Sequence, residues 1–199
     1  VLLPPVVDRL IAELAKLPGI GRRSAERIAF DLVARSPDRP TALATVLMGM
    51  AESVRPCPEC HLLTEGGRCS VCSDPARDRA TLCVVETYAD AIAFDRAVSG
   101  KPLFHVLGGR LSPLKGVTPS DLCVDQLLSR LDGSVRELIL ATSPSIEGDA
   151  TAHYIAQEAA GRVARISRIG RGVPTGGSLE HADSETLRFS VESRRPFDG

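Results

Sequence analysis

Two C-x2-C pairs eight residues apart, Cys57/Cys60 and Cys69/Cys72, carry the most specific chemistry in this chain of 199 residues. A two-residue gap turns both sulfurs of a pair toward one point. Gly66-Gly67 supplies the reversal that returns the second pair to the first. Four converging thiolates suit tetrahedral Zn2+, and a closed shell of four sulfurs leaves no position for a reacting water, so a structural zinc site is expected. Two disulfides would need an oxidising compartment, to which nothing else in the chain points. His61 follows a ligand cysteine and is read as a bystander, since four sulfurs are already present. A module this short cannot bury a core of its own. Metal binding then supplies most of its folding free energy, roughly 10–16 kcal/mol in zinc-finger peptides.

A second constellation is acidic. Glu86 closes the apolar run Leu82-Cys83-Val84-Val85, while Glu147 and Asp149 follow Leu138-Ile139-Leu140-Ala141-Thr142 and are read on the loop after it. If those two runs are neighbouring strands, three carboxylates converge, and such oxygen ligands suit Mg2+. The rival reading is a plain negative surface, with Asp149 or Thr151 helping to start a helix.

A third constellation is basic. The turn Leu17-Pro18-Gly19-Ile20-Gly21 leads into Arg22-Arg23-Ser24-Ala25, with Lys16 and Arg27 close by. Gly19 and Gly21 permit positive φ and close backbone approach, Ile20 can pin the turn to a core, and the N–H groups opening the next helix form a ready phosphate site. Glu26 is the only acid between Lys16 and Arg27. The pattern resembles a helix-hairpin-helix, which binds the DNA backbone without reading sequence. The alternative is an ordinary glycine-containing connection with solvated arginines. Contacts to phosphate alone predict weak, salt-sensitive binding.

The elements that must position these groups change character along the chain. Residues 1–56 read as helical. Val6, Val7, Leu10, Ile11, Leu14 and Leu17 mark one apolar face. A second helix from Arg22 to Ala34 places Ala25, Ile28, Ala29, Leu32 and Val33 inside and breaks at Ser36-Pro37-Asp38. A third helix from Pro40 to Val54 carries Leu43, Val46, Leu47 and Met50. From Ala80 onward, strands at 82–85, 103–107, 138–142 and 163–169 alternate with helical stretches at 90–98, near 127–131 and at 148–160. That rhythm argues for a mostly parallel sheet covered on both faces, with function at the carboxyl ends of its strands.

Composition bounds the rest. Hydrophobic residues make up 43%, enough for real cores, but aromatics are only 4% with no Trp, which argues against a base-stacking platform. A net charge of −1 confines any nucleic-acid contact to a local patch. There is no signal-peptide pattern and no apolar run near twenty residues, so neither secretion nor membrane insertion is expected. Cys83 and Cys123 are read as buried free thiols in strand-like settings, and together these features point to a reducing cytoplasm. Gly172 to Gly177 lacks the order of a nucleotide-binding P-loop and has no Lys, so it is read as a turn. Arg162, Arg165, Arg168 and Arg171 form a basic run that could face DNA, or be solvated or paired with a partner's acids.

A Glu after the first strand and an acidic pair after the third resemble a Toprim domain. The order of Leu17-Pro18-Gly19-Ile20-Gly21, the cysteine cluster, Phe104-His105-Val106-Leu107 with Leu111-Ser112-Pro113, Ile146-Glu147-Gly148-Asp149-Ala150-Thr151 and Gly172-Val173-Pro174-Thr175-Gly176-Gly177 resembles the bacterial RecR family from end to end. The resemblance implies an α+β multi-module chain: a helix-hairpin-helix (1–56), a four-cysteine zinc finger (57–72), a Toprim domain (80–175) and a C-terminal exchange segment (176–199). It implies a non-enzymatic recombination mediator that forms dimers and a tetrameric ring around DNA. Such a mediator acts with RecO and RecF to load RecA on single strands coated with SSB, in the bacterial cytoplasm at the nucleoid. Carried over by position, Lys16, Gly19, Gly21, Arg22, Arg23 and Arg27 would contact DNA, with Arg23 and Arg27 foremost. Glu86, Glu147 and Asp149 would be the Toprim acids, here a RecO-facing surface rather than a catalytic centre. The chain has Arg23 where the family usually has Lys, Glu147-Gly148-Asp149 where Toprim enzymes have Asp-x-Asp, and His181 where the family often has Tyr. The competing reading is a Mg2+-dependent Toprim nuclease.

Overall fold

The computed structural model describes residues 2–34, 37–194 and 196. Ser36, within the predicted break, and residues 195 and 197–199 of the exchange segment lie outside them. The chain divides into two compact units, 1–54 and 55–199.

The first unit is helical. Helix α1 spans Pro5–Leu14, with Pro5 at its first position, where the missing N–H costs nothing. Helix α2 spans Arg22–Ala34 and α3 Asp38–Ser53. Ile11, Ala25 and Ala29 form the buried centre, and Leu10, Leu14 and Ile20 pack against it. Small alanines on α2 let the two helices approach closely. Three expectations fail here. Val6 and Leu17, placed on the first apolar face, are exposed, Leu17 lying beyond the end of α1; Val33 is exposed rather than inward; and α3 buries none of its residues. Leu43, Val46, Leu47 and Met50 have the spacing of a buried face, but they stay exposed among the described residues of the unit.

The second unit is built on a parallel sheet. Among the described residues its strands are β3 (Asp78–Val85), β4 (Pro102–Val106), β5 (Glu137–Ala141) and β6 (Arg165–Arg168), in the order β4-β3-β5-β6. A separate short hairpin, β1 (Arg55–Pro56) with β2 (Leu63–Thr64), precedes it. Alternate residues of the long strands feed different faces, as the two-residue period requires. Leu82, Val84, Leu138 and Leu140 enter one core with Leu127, Leu131 and Ile155. Cys83, Val85, Phe104 and Val106 enter the other with Ala91. Burial on both faces is why these strands read as unbroken apolar runs.

The surrounding helices are α4 (Ser70–Ser73), α5 (Tyr88–Ala97), α6 (Val124–Ser129), α7 (Ile146–Glu158) and α8 (Ser184–Glu192). Helix α5 starts earlier than expected because Thr87 and Asp90 form a reciprocal capping box. Helix α7 starts at Ile146 because the Ser145 hydroxyl accepts from the Gly148 N–H at 3.1 Å. Helix α8 has no counterpart in the sequence reading. Asp183 caps it by accepting from the N–H groups of Glu185 and Thr186.

One buried titratable group is expected to make the sheet unit acid-sensitive. His105 on β4 is fully buried, its Nε2 lies 2.7 Å from the Cys123 carbonyl, and its Nδ1 faces the Arg130 guanidinium at 3.3 Å. Burial, with the Arg130 charge adding to it, pushes its pKa from 6.5 down to about 3. The folded ring therefore stays neutral where the unfolded ring takes a proton. Stability is full above pH 6.5 and falls as pH drops toward 3, the sign expected when the unfolded state binds more protons. A urea-melt series in zinc-containing buffer is expected to lose about 2 kcal/mol between pH 7 and 5 from this group. His105→Gln is expected to flatten that slope, and an unchanged slope would assign the acid sensitivity elsewhere.

Candidate metal centre and nucleic-acid interface

The four cysteines come together as their spacing predicts. Cys57, Cys60, Cys69 and Cys72 are buried, and their sulfurs lie within 4.8 Å of one another. A sulfur-ligated tetrahedral ion with bonds near 2.3 Å needs sulfurs about 3.8 Å apart. The Cys60 and Cys69 sulfurs stand at 3.4 Å, much longer than a disulfide bond. Two backbone N–H groups already aim at sulfur, Cys69 N at Cys57 Sγ (3.4 Å) and Cys72 N at Cys69 Sγ (3.5 Å), as thiolate ligands require. Crowding sets the thiols against one another. A hydrogen bond from Cys60 pulls Cys72 down to about 6, and that same contact pushes Cys60 up. Cys57, Cys60, Cys69 and Cys72 would hold a dication, whose charge would stabilise every thiolate at once. The donor set therefore fits a four-sulfur metal ion.

The module is fastened to the sheet. Val106 N–H donates to the Cys60 carbonyl at 2.9 Å, covering the β4 edge. Val71 packs against both sheet cores and Leu62 against one of them. Arg68 and Arg79 both donate to the Cys72 carbonyl. His61 is outside the cluster and sits at φ 61°, its Nδ1 3.1 Å from Cys123 Sγ. Cys123 departs from expectation: it is only half-buried and lies on the turn before α6, not in a strand. Its apolar neighbours are Leu122, which closes the preceding turn, and Val124, which opens that helix. Cys83 is a buried thiol, which burial pushes up to about 12.

The basic turn is well defined. Gly19 takes φ +77°, and Ile20 N–H donates to the Leu17 carbonyl. The first helical bond of α2 runs from Ala25 N–H to the Gly21 carbonyl, so the N–H groups of Arg22, Arg23 and Ser24 precede the helical ladder. Lys16 pairs with Glu13 at 2.7 Å and Arg22 with Glu26 at 3.2 Å. Arg23 and Arg27 are exposed, and among the described residues no acid pairs with either. Four residues apart, they share one face of α2.

The acidic positions diverge from expectation. Strands β3 and β5 are neighbours, so Glu86 and the start of α7 do meet at the carboxyl end of the sheet, where strand order reverses. The three carboxylates do not form one cluster, however. Among the described residues only the cysteines bring three candidate metal ligands within reach of one another. Glu147 and Asp149 are in the first turn of α7, not on a loop, and residues two apart on a helix point to opposite sides. Glu147 turns toward Glu86. Asp149 turns away to Arg168 (3.2 Å) and Arg171.

That contact also corrects the reading of the basic run. Arg168 spends its guanidinium on Asp149 and on the carbonyls of Leu140, Thr142 and Ser143. Arg165 lies 3.5 Å from Glu137. Intrachain acids therefore take three of the four charges. His181 is exposed beside Glu180.

Sequence reasoning missed Arg110. It follows the Gly108-Gly109 turn at the carboxyl end of β4 and lies between two acids, with Nε 2.9 Å from Glu147 and Nη1 3.0 Å from Glu86. The available signal was its place just past the glycine turn that follows a strand, next to the switch in strand order.

Three family profiles match the chain: "RecR, helix-hairpin-helix" over residues 7–50, "Toprim domain" over 80–170 and "RecR, C-terminal" over 172–195. The chain is 46% identical to "Recombination protein RecR" of Halorhodospira halophila, over 98% of both chains. It is 47% identical to the protein of that name from Rubrobacter xylanophilus, over 95% of this chain and 96% of the relative. Against the one from Acidothermus cellulolyticus it is 45% identical over 97% and 98%.

Proposed function

Because this chain belongs to the RecR family, we propose that it is a non-enzymatic DNA-binding mediator of recombinational repair. It works as an oligomeric clamp that acts with RecO and RecF to load RecA on single strands coated with SSB, at the nucleoid of a bacterial cytoplasm. The observation that carries the DNA reading is the face of α2 bearing exposed Arg23 and Arg27 next to the Gly19-Ile20-Gly21 turn and the opening N–H groups of the helix. Both cations are available to phosphate, whereas Lys16 and Arg22 would exchange an acid for it. Backbone contacts of this kind recognise charge and spacing, not base edges.

Self-association is supported by α3, where Val46 is 69% and Met48 63% exposed. The four-sulfur site is assigned Zn2+, which favours tetrahedral thiolate ligation and keeps no open position there; its work is to hold the finger against β4. Of the three acids expected on a RecO-facing surface, Glu147 and Asp149, beside Ile146, which is 91% exposed, are assigned to it, and Glu86, 4% exposed, is too buried to belong to it. No step of this reading needs Mg2+.

The test uses labelled single-stranded and duplex DNA, split between a native and a denaturing gel. Wild type is expected to shift both with strands intact. Arg23→Ala with Arg27→Ala is expected to weaken binding equally on all sequences and to lower the salt slope on duplex by about 2. Unchanged affinity would remove the DNA role of this turn. Strand ends that appear only with Mg2+ and vanish in Glu86→Gln would replace the clamp with a nuclease.

A further inference from the structure

The carboxyl ends of three adjacent strands meet at one point. β3 delivers Glu86, the segment after β5 delivers Ser143 and Glu147, and the turn after β4 delivers Arg110. All four carboxylate oxygens are engaged within the chain. Glu86 Oε1 accepts from Ser143 N–H at 2.7 Å. Its Oε2 accepts from the Ser143 hydroxyl at 2.9 Å and from Arg110. Glu147 Oε1 accepts from the Ser112 hydroxyl, and its Oε2 accepts from Arg110 Nε.

Arg110 is held there by its backbone. Leu111 N–H donates to the Thr151 hydroxyl at 2.9 Å, and that hydroxyl donates to the Glu147 carbonyl at 2.7 Å. Thr151 is fully buried. The turn that carries Arg110 is thus tied to the helix that carries Glu147. Glu86 itself is 4% exposed, and its charge has no bulk water to rely on.

We infer that Arg110 is the resident cation of the Glu86–Glu147 site, occupying with a covalently attached guanidinium the position these carboxylates would otherwise offer to Mg2+. Mg2+ demands near-octahedral oxygen geometry and is held by one or two carboxylates. Here a planar fork already spans both carboxylates, and a divalent ion would have to displace it and leave a third positive charge beside them. Arg is suited to the task because its guanidinium stays charged and bridges two acceptors at fixed geometry. The site is closed to divalent cations by construction, and removing Arg110 opens it.

The probe is Mn2+, read by loss of its free-ion electron paramagnetic resonance signal during titration into zinc-loaded full-length protein. Mn2+ does not compete for the thiolate site, since it stands lowest in the affinity order and prefers oxygen. Wild type is expected to show no saturable site that Glu86→Gln abolishes. Arg110→Gln is expected to gain one Mn2+ per chain, at least about tenfold tighter than any wild-type binding, and Arg110→Gln with Glu86→Gln to lose it again. A wild-type site that disappears in Glu86→Gln would overturn the inference. So would an Arg110→Gln protein with native circular dichroism that gains nothing. Thermal melting supplies a measurement that needs no Arg110 variant: about 10 mM Mg2+ is expected to leave the wild-type Tm where it is. A rise in Tm that depends on Glu86 would overturn the inference.

Discussion

Stripping zinc from the Cys57, Cys60, Cys69 and Cys72 site is expected to unfold the finger and to loosen the sheet unit with it. The finger has little else to hold it: two two-residue strands, a four-residue helix and the buried sulfurs themselves. Zinc-finger peptides draw roughly 10–16 kcal/mol from the ion, far more than the module's few apolar contacts supply. The loss should spread, because Val71 fills space in both sheet cores and Cys60 pairs with the edge strand β4. A strong chelator, with a colorimetric zinc indicator and circular dichroism read together, should report one zinc released per chain and a large drop in Tm. Cys57→Ser should reproduce it, while His61→Ala should keep its zinc. Acid should mimic chelation, since the thiolates must be deprotonated to bind. A chain that carries no metal and melts identically with chelator would refute the zinc assignment.

Gly148→Ala is expected to be the most damaging single methyl group in the sheet unit. A Cβ at Gly148 would lie 2.1 Å from the Ser143 carbonyl oxygen and 3.2 Å from Glu86 Oε1. The first neighbour is backbone, so no rotamer change relieves the clash. The segment between β5 and α7 must move. That movement breaks the Ser143 N–H contact to Glu86 and the bond from the Thr142 hydroxyl to the Gly148 carbonyl. The cost is about 3 kcal/mol, at the upper end for added methyl groups in packed sites. Urea denaturation with zinc present reads it. A shift below about 1 kcal/mol would mean that the loop relaxes freely. The same measurement on Gly66→Ala, where an added Cβ meets nothing within 4 Å, is the control.

The elements recovered from sequence are those set by local rules. Strand β3 announces itself as a continuous apolar run because both its faces are covered. Helix α2 follows from its spacing and from the glycine turn before it. The cysteine cluster is legible because metal geometry is encoded in short spacings that no distant residue can alter. The errors lie where a neighbour decides. Helix α7 begins two residues earlier than its apolar pattern suggests, because the Ser145 hydroxyl caps it. Those two residues bring Glu147 into the helix with Asp149, and two apart on a helix the pair point to opposite sides. The apolar stripe of α3 has the periodicity of a buried face and is exposed, since periodicity reports a face and not what covers it.

By itself, the sequence determined the sulfur site, the basic turn, the parallel sheet and the two strand ends at which acids gather. Each depends on spacing within a few residues or on a repeating pattern. Only the tertiary structure decided what those acids do. Arg110 is 24 residues from Glu86 and 37 from Glu147, and Arg168 is 19 from Asp149. No local pattern couples positions so far apart. They meet because β4 and β5 flank β3 and because the Leu111 N–H to Thr151 bond ties the β4 turn to α7. The carboxylates that looked like a metal site along the chain are, once folded, the acceptors of the protein's own guanidinium groups.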